Sequence, residues 1–222
     1  MHRLCRWVVG VGVGIRAGVL VGLAVEFGRG YAVEQLRRSR HLFRGLVKRL
    51  YLNNVLNEVV GPTIDFGCGA GQLLARLPAG SVGLDINPYL VAELRRRGLN
   101  VLLCDSDADV FSLCQLPTDY YRTMVLSHVL EHFSNSAQAM RKIWRVCARL
   151  GVRKIVVVVP GAKGYRSDKT HKTFVNYRYL DDHGLLDCEG YVAIKTSYFP
   201  VNVESFGEHF TYHEFQIVYE RV

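Results

Sequence analysis

The sequence predicts an α/β fold with a doubly wound, mostly parallel sheet, and three observations indicate it. Short apolar runs alternate with helical segments between residues 63 and 159. The run Lys154–Val159 is apolar almost throughout, as in a central strand buried on both faces. Glycines follow the first run directly, where the chain must turn sharply off a strand. Such alternation is typical of a sheet that carries helices on both faces.

The elements follow one another from residue 63 onward. The predicted strands are Thr63–Phe66, Val82–Asp85, Val101–Cys104, Thr123–Leu126 and Lys154–Val159. The predicted helices begin at Gln72–Arg76 and at Pro88, and a third spans Ala137–Leu150, where apolar residues recur at helical spacing. A long polar loop is expected at Gly161–Tyr177. Two late β-rich runs are expected to pair antiparallel at one sheet edge, Tyr191–Phe199 and Glu214–Glu220.

Charge separates the N-terminal part from the rest of the chain. The net charge is +8, and residues 1–60 contain ten Lys and Arg against three Glu, so the remainder is nearly neutral. We divide the chain into an apolar, glycine-rich segment (1–28), a basic amphipathic helix (29–60) and a main domain (61–222). A nearly neutral main domain argues against nucleic acid as a partner. Six scattered cysteines without a C-x-x-C pair indicate a reducing compartment.

The first segment has features of a membrane helix. Trp7–Phe27 is apolar except for Arg16 and Glu26, and its glycines recur every fourth residue. This length can span a bilayer, and small residues at this spacing pack membrane helices closely. The arginines that follow it would then place the main domain on the cytosolic side. A disordered leader and a start codon assigned too far upstream are the alternatives.

The segment Ile64–Gly71 is the most informative about function. It is a strand that ends in Asp65 and continues into alternating glycines at Gly67, Gly69 and Gly71. Twenty residues after Asp65, the second strand ends in Asp85, at a spacing that suits an acid accepting ribose hydroxyls. An acid before the glycines disfavours a phosphate and favours a cationic ligand that carries a ribose. S-adenosylmethionine is such a ligand, and a tight turn without any ligand is the alternative.

From about Thr63 to Val222 the chain resembles the class I S-adenosylmethionine-dependent methyltransferases of the small-molecule type, in particular the ubiquinone and menaquinone methyltransferases. The matching segments are Ile64–Gly71, Gly83–Asp85, Asp105–Ser106 and Ser127–Phe133, the last of which contains His-Val-Leu-Glu-His. The resemblance implies a Rossmann-like sheet of seven strands with the last strand antiparallel, preceded here by N-terminal helices. It also implies S-adenosylmethionine as the cofactor.

The resemblance further implies the residues that contact this cofactor. The methionine part would lie against Asp65, Gly67, Gly69 and Gly71. The ribose and adenine would lie against Asp85, Ile86, Asp105 and Ser106. His128 would lie near the methionine end. For Asp105 a solvated acidic turn, shared with Asp107 and Asp109, is the alternative.

Methyl transfer depends mainly on aligning donor and acceptor. A hydroxyl acceptor also needs a group that takes its proton, and the loop after the fifth predicted strand contains Asp168-Lys169-Thr170-His171. It is similar to an Asp-x-Thr-His segment that related methyltransferases carry at the mouth of the acceptor site. We predict His171 as the general base, because the ordinary pKa of histidine is near neutral, with Asp168 orienting it. The alternative is a polar loop whose side chains only cap turns.

Two histidine pairs, His128 with His132 and His209 with His213, have the spacing of helical metal ligands. Neither brings a third ligand, so we predict no metal. The predicted function is methyl transfer to a small-molecule, lipid or glycan acceptor, at a hydroxyl oxygen. We expect a cytoplasmic protein, held at the cytosolic face of the inner membrane if residues 7–27 insert. The alternatives are a nucleic-acid or protein methyltransferase that uses the basic helix, and a non-catalytic cofactor-binding scaffold.

Overall fold

A computed structural model describes residues 28–39, 51–104 and 111–222. Within these ranges eight strands form one sheet, in the order β3-β2-β1-β4-β5-β8-β7-β6. The strands are β1 (Thr63–Phe66), β2 (Val82–Asp85), β3 (Val101–Leu103), β4 (Thr123–Ser127), β5 (Lys154–Pro160), β6 (Asp187–Cys188), β7 (Tyr191–Phe199) and β8 (Glu214–Arg221). Strands β1 to β5 pair in parallel, and β8 lies antiparallel between β5 and β7.

The helices of the described residues cover both faces of this sheet. They are α1 (Arg29–Ser39), α2 (Pro88–Arg96), α3 (Ser136–Leu150), α4 (Ala162–Arg166) and α5 (Tyr177–Asp182). Residues 51–56 are also helical. Short 3-10 helices lie at Leu74–Arg76, Leu130–His132 and Glu204–Glu208.

The predicted fold class is confirmed, including the antiparallel last strand, with three differences of detail. The sheet has an eighth strand, β6, a two-residue hairpin partner of β7 that is too short to leave a sequence pattern. The helix expected from Gln72 is only a 3-10 turn, because Leu77 precedes Pro78 and takes an extended conformation that ends it. The loop expected at Gly161–Tyr177 contains the short helix α4.

The helix ends follow from local sequence. The Asn87 side chain accepts hydrogen bonds from the first-turn N–H groups of Tyr89 and Leu90, and Pro88 occupies the first position of α2. Helix α3 starts with Asn135 in the same role and ends at Gly151, whose φ of +73° is the left-handed conformation of a glycine C-cap. These caps fix where each helix stops, and therefore where the adjoining strands meet.

Strands β4 and β5 form the middle of the core. Helix α3 packs on one face, where Trp144 meets the Tyr219 ring edge-on at 5.2 Å between centroids. The helical residues 51–56 pack on the other face, against Val125, Val156 and Val218. Burial on both faces explains the nearly unbroken apolar sequence of β5. Because β1, β2 and β4 run parallel, their carboxyl ends lie together at one edge of the sheet.

No helix among residues 28–39, 51–104 and 111–222 is long and apolar enough to span a membrane. The predicted membrane segment, residues 7–27, lies outside the described residues. So do residues 40–50 of the predicted basic helix, and Asp105 and Ser106.

Candidate active site

The glycine-rich turn after β1 is locked to the neighbouring strand. The backbone N–H groups of Gly67 and Cys68 both donate to the carbonyl of Leu84, at 2.8 and 2.9 Å. Gly67 has a φ of +73°, and a Cβ on it would come within 2.5 Å of Val129 Cγ2. Only glycine fits at this position, so the turn after β1 lies directly against the turn after β4.

Gly69 faces an opening. Its φ is +52°, and no described residue comes within 4 Å of the place where a Cβ would stand. Its N–H donates to Asp85 Oδ2 at 2.8 Å. A ligand can therefore approach the backbone here closely, beside a carboxylate that is already positioned.

Asp85 ends β2 as a buried carboxylate with both oxygens engaged. Besides the bond from Gly69, its Oδ1 accepts from the N–H of Asn87 at 2.8 Å. Burial raises the pKa of Asp85, and hydrogen bonds from backbone N–H groups oppose that rise. A carboxylate has about four acceptor sites, so Asp85 keeps capacity to accept a ribose hydroxyl besides the bonds from Gly69, Asn87 and Ile86.

Next to Asp85 lie an exposed apolar side chain and the start of helix α1. Ile86 is 40% exposed and offers an apolar surface beside the carboxylate. Helix α1 begins next to this point, because Asn87 Nδ2 donates to the carbonyl of Gly28 at 3.4 Å. Helix α1 thus packs beside the end of β2, close to the glycine-rich turn.

Asp65 is buried at the end of β1, one residue before the turn. Burial, together with the charges of Asp65 and Asp85, raises the pKa of the Cys68 thiol that lies between them. Cys68 is therefore protonated near neutrality and serves as a small packing residue instead of a nucleophile.

His128, which the sequence places near the methionine end of the cofactor, is held between two carboxylates. Its Nδ1 lies 3.3 Å from Glu131 Oε1, and its Nε2 lies 3.1 Å from Glu214 Oε2. Burial alone would lower the pKa of His128, but the charges of Glu214 and Glu131 outweigh it and raise the pKa to about 10. The ring is an imidazolium at neutral pH, and Tyr51 meets it edge-on at 6.0 Å between centroids.

The loop after β5 docks onto the 3-10 turn that follows β4. The N–H groups of Lys172 and Thr173 donate to the carbonyl of Glu131, at 2.7 and 3.1 Å. The Thr173 hydroxyl donates to the carbonyl of Phe133 at 2.7 Å. These bonds bring His171 beside Glu131, with 3.9 Å between Nε2 and Oε1, although forty residues separate them in sequence.

The sequence predicts that Asp168 orients His171. In the structure the backbone orients His171 instead. Its Nδ1 lies 2.8 Å from the carbonyl oxygen of Tyr165, so Nδ1 carries the proton and donates it. In a neutral imidazole the lone pair is then on Nε2, the atom that faces Glu131. The Tyr165 ring stacks on the His171 ring at 5.5 Å and fixes its plane.

Asp168 acts on a different residue. Its Oδ1 accepts from both the N–H and the hydroxyl of Thr170, at 3.0 and 2.8 Å. Partial burial would raise the pKa of Asp168, but these two bonds and the nearby His171 and His132 lower it. Asp168 therefore shapes the loop around His171 through Thr170.

His132 contacts His171. It does not pair with His128, although the two have the spacing of helical metal ligands. The rings of His132 and His171 meet edge-on with centroids 5.0 Å apart. His132 Nδ1 lies 3.2 Å from Thr170 Oγ1. Burial lowers the pKa of His132, against the charge of Glu131, so the ring is neutral at neutral pH.

Sequence reasoning did not assign roles to four residues of this cluster: Tyr51, Glu131, Thr170 and Glu214. Glu131 and Thr170 lie inside motifs that the sequence analysis recognised, so the sequence could have indicated both residues. Tyr51 and Glu214 come from the helical residues 51–56 and from β8, and only the tertiary fold brings them to the end of β4. No spacing rule could have found them.

Comparison with known proteins agrees with this geometry. Residues 64–153 match the sequence model of a family described as a methyltransferase domain. A search of curated proteins gave no match. The fold is shared with a SAM-dependent methyltransferase from Archaeoglobus fulgidus at 19% identity, covering 86% of this chain and 99% of the other, with a TM-score of 0.62.

Two further solved structures share the fold. Magnesium protoporphyrin IX methyltransferase from Synechocystis PCC 6803, crystallised with bound SAH, is 15% identical and has a TM-score of 0.64, with 91% of this chain and 99% of the other covered. A small RNA methyltransferase is 17% identical and has a TM-score of 0.55, with 81% of this chain but only 25% of the other covered.

The residues at the carboxyl ends of β1 and β2 fit S-adenosylmethionine. Gly69 leaves an open approach to the backbone, and beside it Asp85 offers a buried carboxylate that can accept from a ribose hydroxyl. The family match over residues 64–153 and the shared fold, together with these features, support a class I S-adenosylmethionine-dependent methyltransferase.

Proposed function

We propose that the protein transfers a methyl group from S-adenosylmethionine to a hydroxyl oxygen of a small-molecule, lipid or glycan acceptor. The observation that carries this proposal is the orientation of His171. Its Nδ1–H donates to the Tyr165 carbonyl, which directs a basic Nε2 toward the turn after β4. An oxygen nucleophile needs such a group, because a neutral hydroxyl must lose its proton as it is methylated.

The chain's own residues divide the work between binding and proton transfer. S-adenosylmethionine, when bound, supplies a methyl group already activated on a sulfonium. Asp85 and the Gly69 backbone hold the ribose side, and Asp65 and the turn after it hold the methionine side. His171 Nε2 takes the hydroxyl proton, while the Tyr165 carbonyl and the Glu131 carboxylate stabilise the positive charge that this creates on the ring.

The acceptor is the least constrained part of the proposal. Among solved structures of this fold, one acts on a porphyrin and another on small RNA. Residues 61–222 are nearly neutral, which supports a small acceptor over a polyanion. RNA is the second candidate, and the basic residues before position 61 would then supply its phosphate contacts.

His171→Ala tests the proton-transfer role, with His183→Ala as the matched control. His183 is exposed and its Nδ1 also faces a backbone carbonyl, that of Tyr179, but it directly follows the last residue of α5. We expect His171→Ala to lose about 100-fold or more in transfer rate, the usual contribution of a general base, with S-adenosylmethionine affinity unchanged. The acceptor panel comprises phenols, sugars, lipids and RNA oligonucleotides, with products identified by mass.

Two outcomes of this experiment would contradict the proposal. Unchanged transfer by His171→Ala would remove His171 from the reaction. Methylation of nitrogen or carbon, with no hydroxyl in the panel modified, would show that the acceptor class is wrong.

A further inference from the structure

We infer that Glu131, His132 and His171 form a binding site for one divalent cation, at the same edge of the sheet as the glycine-rich turn. One ligand atom from each residue lies within 4.8 Å of the other two. The inference rests on the proposed function in one respect, since the cation would act on the acceptor hydroxyl. It revises the expectation of no metal, which rested on the absence of a third ligand near either histidine pair.

Both imidazoles are oriented as metal ligands are. A ligating histidine usually donates its other ring N–H to a carbonyl or a similar acceptor, which fixes the ring and leaves its second nitrogen free to bind. His171 Nδ1 donates to the Tyr165 carbonyl at 2.8 Å. The Thr170 hydroxyl donates to Asp168, so it accepts from His132 Nδ1 at 3.2 Å. In His171 this places the lone pair on Nε2, the atom that faces Glu131.

The carboxylate of Glu131 needs a partner. The residue is fully buried, and neither of its oxygens has a well-formed hydrogen bond among the described residues. Oε1 lies within ion-pair distance of His128 Nδ1, but without the geometry of a hydrogen bond. A buried carboxylate is costly unless its oxygens are engaged, and a cation between Glu131 and the two histidines would engage them in addition to the His128 ring.

The ligand types indicate which cations bind. Two imidazoles and one carboxylate suit first-row transition metals such as zinc, cobalt, iron and manganese, and not calcium, which prefers six or more oxygens. Three protein ligands leave at least one position for an oxygen of the acceptor.

A cation at this position changes how the hydroxyl is activated. It would take the lone pair of His171 and lower the pKa of the acceptor hydroxyl directly, so that the proton leaves to solvent. The O–CH3 bond then forms as the S–CH3 bond breaks, and the electron pair of the broken bond stays on sulfur. No oxidant or reductant is required.

The test uses Co²⁺ as the probe, on full-length protein stripped with a chelator. We expect one equivalent to bind and to give a visible d–d absorption spectrum. Removing a group that orients a metal ligand weakens metal affinity about 10- to 100-fold. Removing the ligand itself must weaken the affinity at least as much. We therefore expect His132→Ala and Glu131→Gln to weaken binding at least about tenfold, and Thr170→Val to fall within that range. His209→Ala, at an exposed histidine on another loop, is the matched control and should bind as the wild type does.

Failure of this inference can be told apart from failure of the proposed function. Saturable Co²⁺ binding that is lost in His132→Ala supports the site, even if no hydroxyl in the acceptor panel is methylated. Absent binding, or equal binding by His132→Ala and His209→Ala, overturns the site. Full transfer activity of metal-free protein and of His132→Ala also overturns it, and leaves His171 as the proton acceptor.

Discussion

Replacing Asp85 with asparagine tests the assignment of the cofactor site most directly. The substitution keeps the shape of the side chain and one acceptor oxygen, but removes the charge and turns the second oxygen into a donor. Asp85 now receives an N–H bond on each oxygen, from Gly69 and from Asn87, both at 2.8 Å. An amide nitrogen placed against either N–H would bring two donors together in a buried position.

The size of the effect follows from counting these bonds. A ribose hydroxyl would donate to the acceptor capacity that the carboxylate retains, and asparagine lacks the charge that strengthens this bond. A hydrogen bond to a charged group contributes about 1.5–3 kcal/mol, so S-adenosylmethionine should bind about 10- to 150-fold more weakly. The donor–donor contact should also lower the free energy of unfolding by about 1–3 kcal/mol.

Calorimetry with S-adenosylmethionine and denaturant unfolding measure the two quantities separately. Asp181→Asn, at an exposed position on α5, is the control and should change the free energy of unfolding by no more than about 0.5 kcal/mol. The ligand should raise the melting temperature of wild type and control, and raise that of Asp85→Asn much less at equal concentration. Binding by Asp85→Asn within about twofold of the control would refute the ribose assignment.

Three further predictions address the turn, the core and the N-terminal segment. Gly69→Ala should abolish S-adenosylmethionine binding. Gly98 is equally left-handed and equally open, so both Gly69→Ala and Gly98→Ala should lose ~1–2 kcal/mol of stability, but Gly98→Ala should still bind. Equal binding by both variants would contradict a role of the glycine-rich turn in cofactor binding. Tyr219→Phe should be neutral in denaturant unfolding, because its buried hydroxyl has no partner among the described residues, whereas Tyr191→Phe should cost about 1–3 kcal/mol by orphaning a backbone carbonyl. Deletion of residues 7–27 tests the expected membrane segment: the full chain should fractionate with membranes and the shortened chain should not, and equal fractionation of the two would refute the expectation.

The sheet could be read from the sequence because its signals are local. Strands β1 and β2 have the predicted bounds, since each ends where an acid meets a turn. Strand β6 and the 3-10 turn at Leu74–Arg76 could not be predicted, because two or three residues carry no periodicity. Their limits depend on hydrogen bonds to β7 and on the proline at position 78.

The predicted cofactor residues come from separate motifs of the sequence. Gly69 and Asp85 belong to two of them, and the structure joins them by one hydrogen bond. His171 was identified from its loop, but its orientation was assigned to Asp168 because the two are close in sequence. The group that orients it is the backbone carbonyl of Tyr165. Every residue has a backbone carbonyl, so residue types do not indicate which one will serve.

The contact between Gly67 and Val129 explains why the two halves of the site belong together. A Cβ on Gly67 would overlap Val129, so the donor turn can close only against the turn after β4. That second turn carries His128, which takes a left-handed φ of +58° that is uncommon outside glycine. Such a conformation costs about 1–3 kcal/mol and persists only where surrounding contacts enforce it, here the carboxylates on both sides of the ring. The two carboxylates therefore help to hold the turn after β4 against the glycine-rich turn after β1.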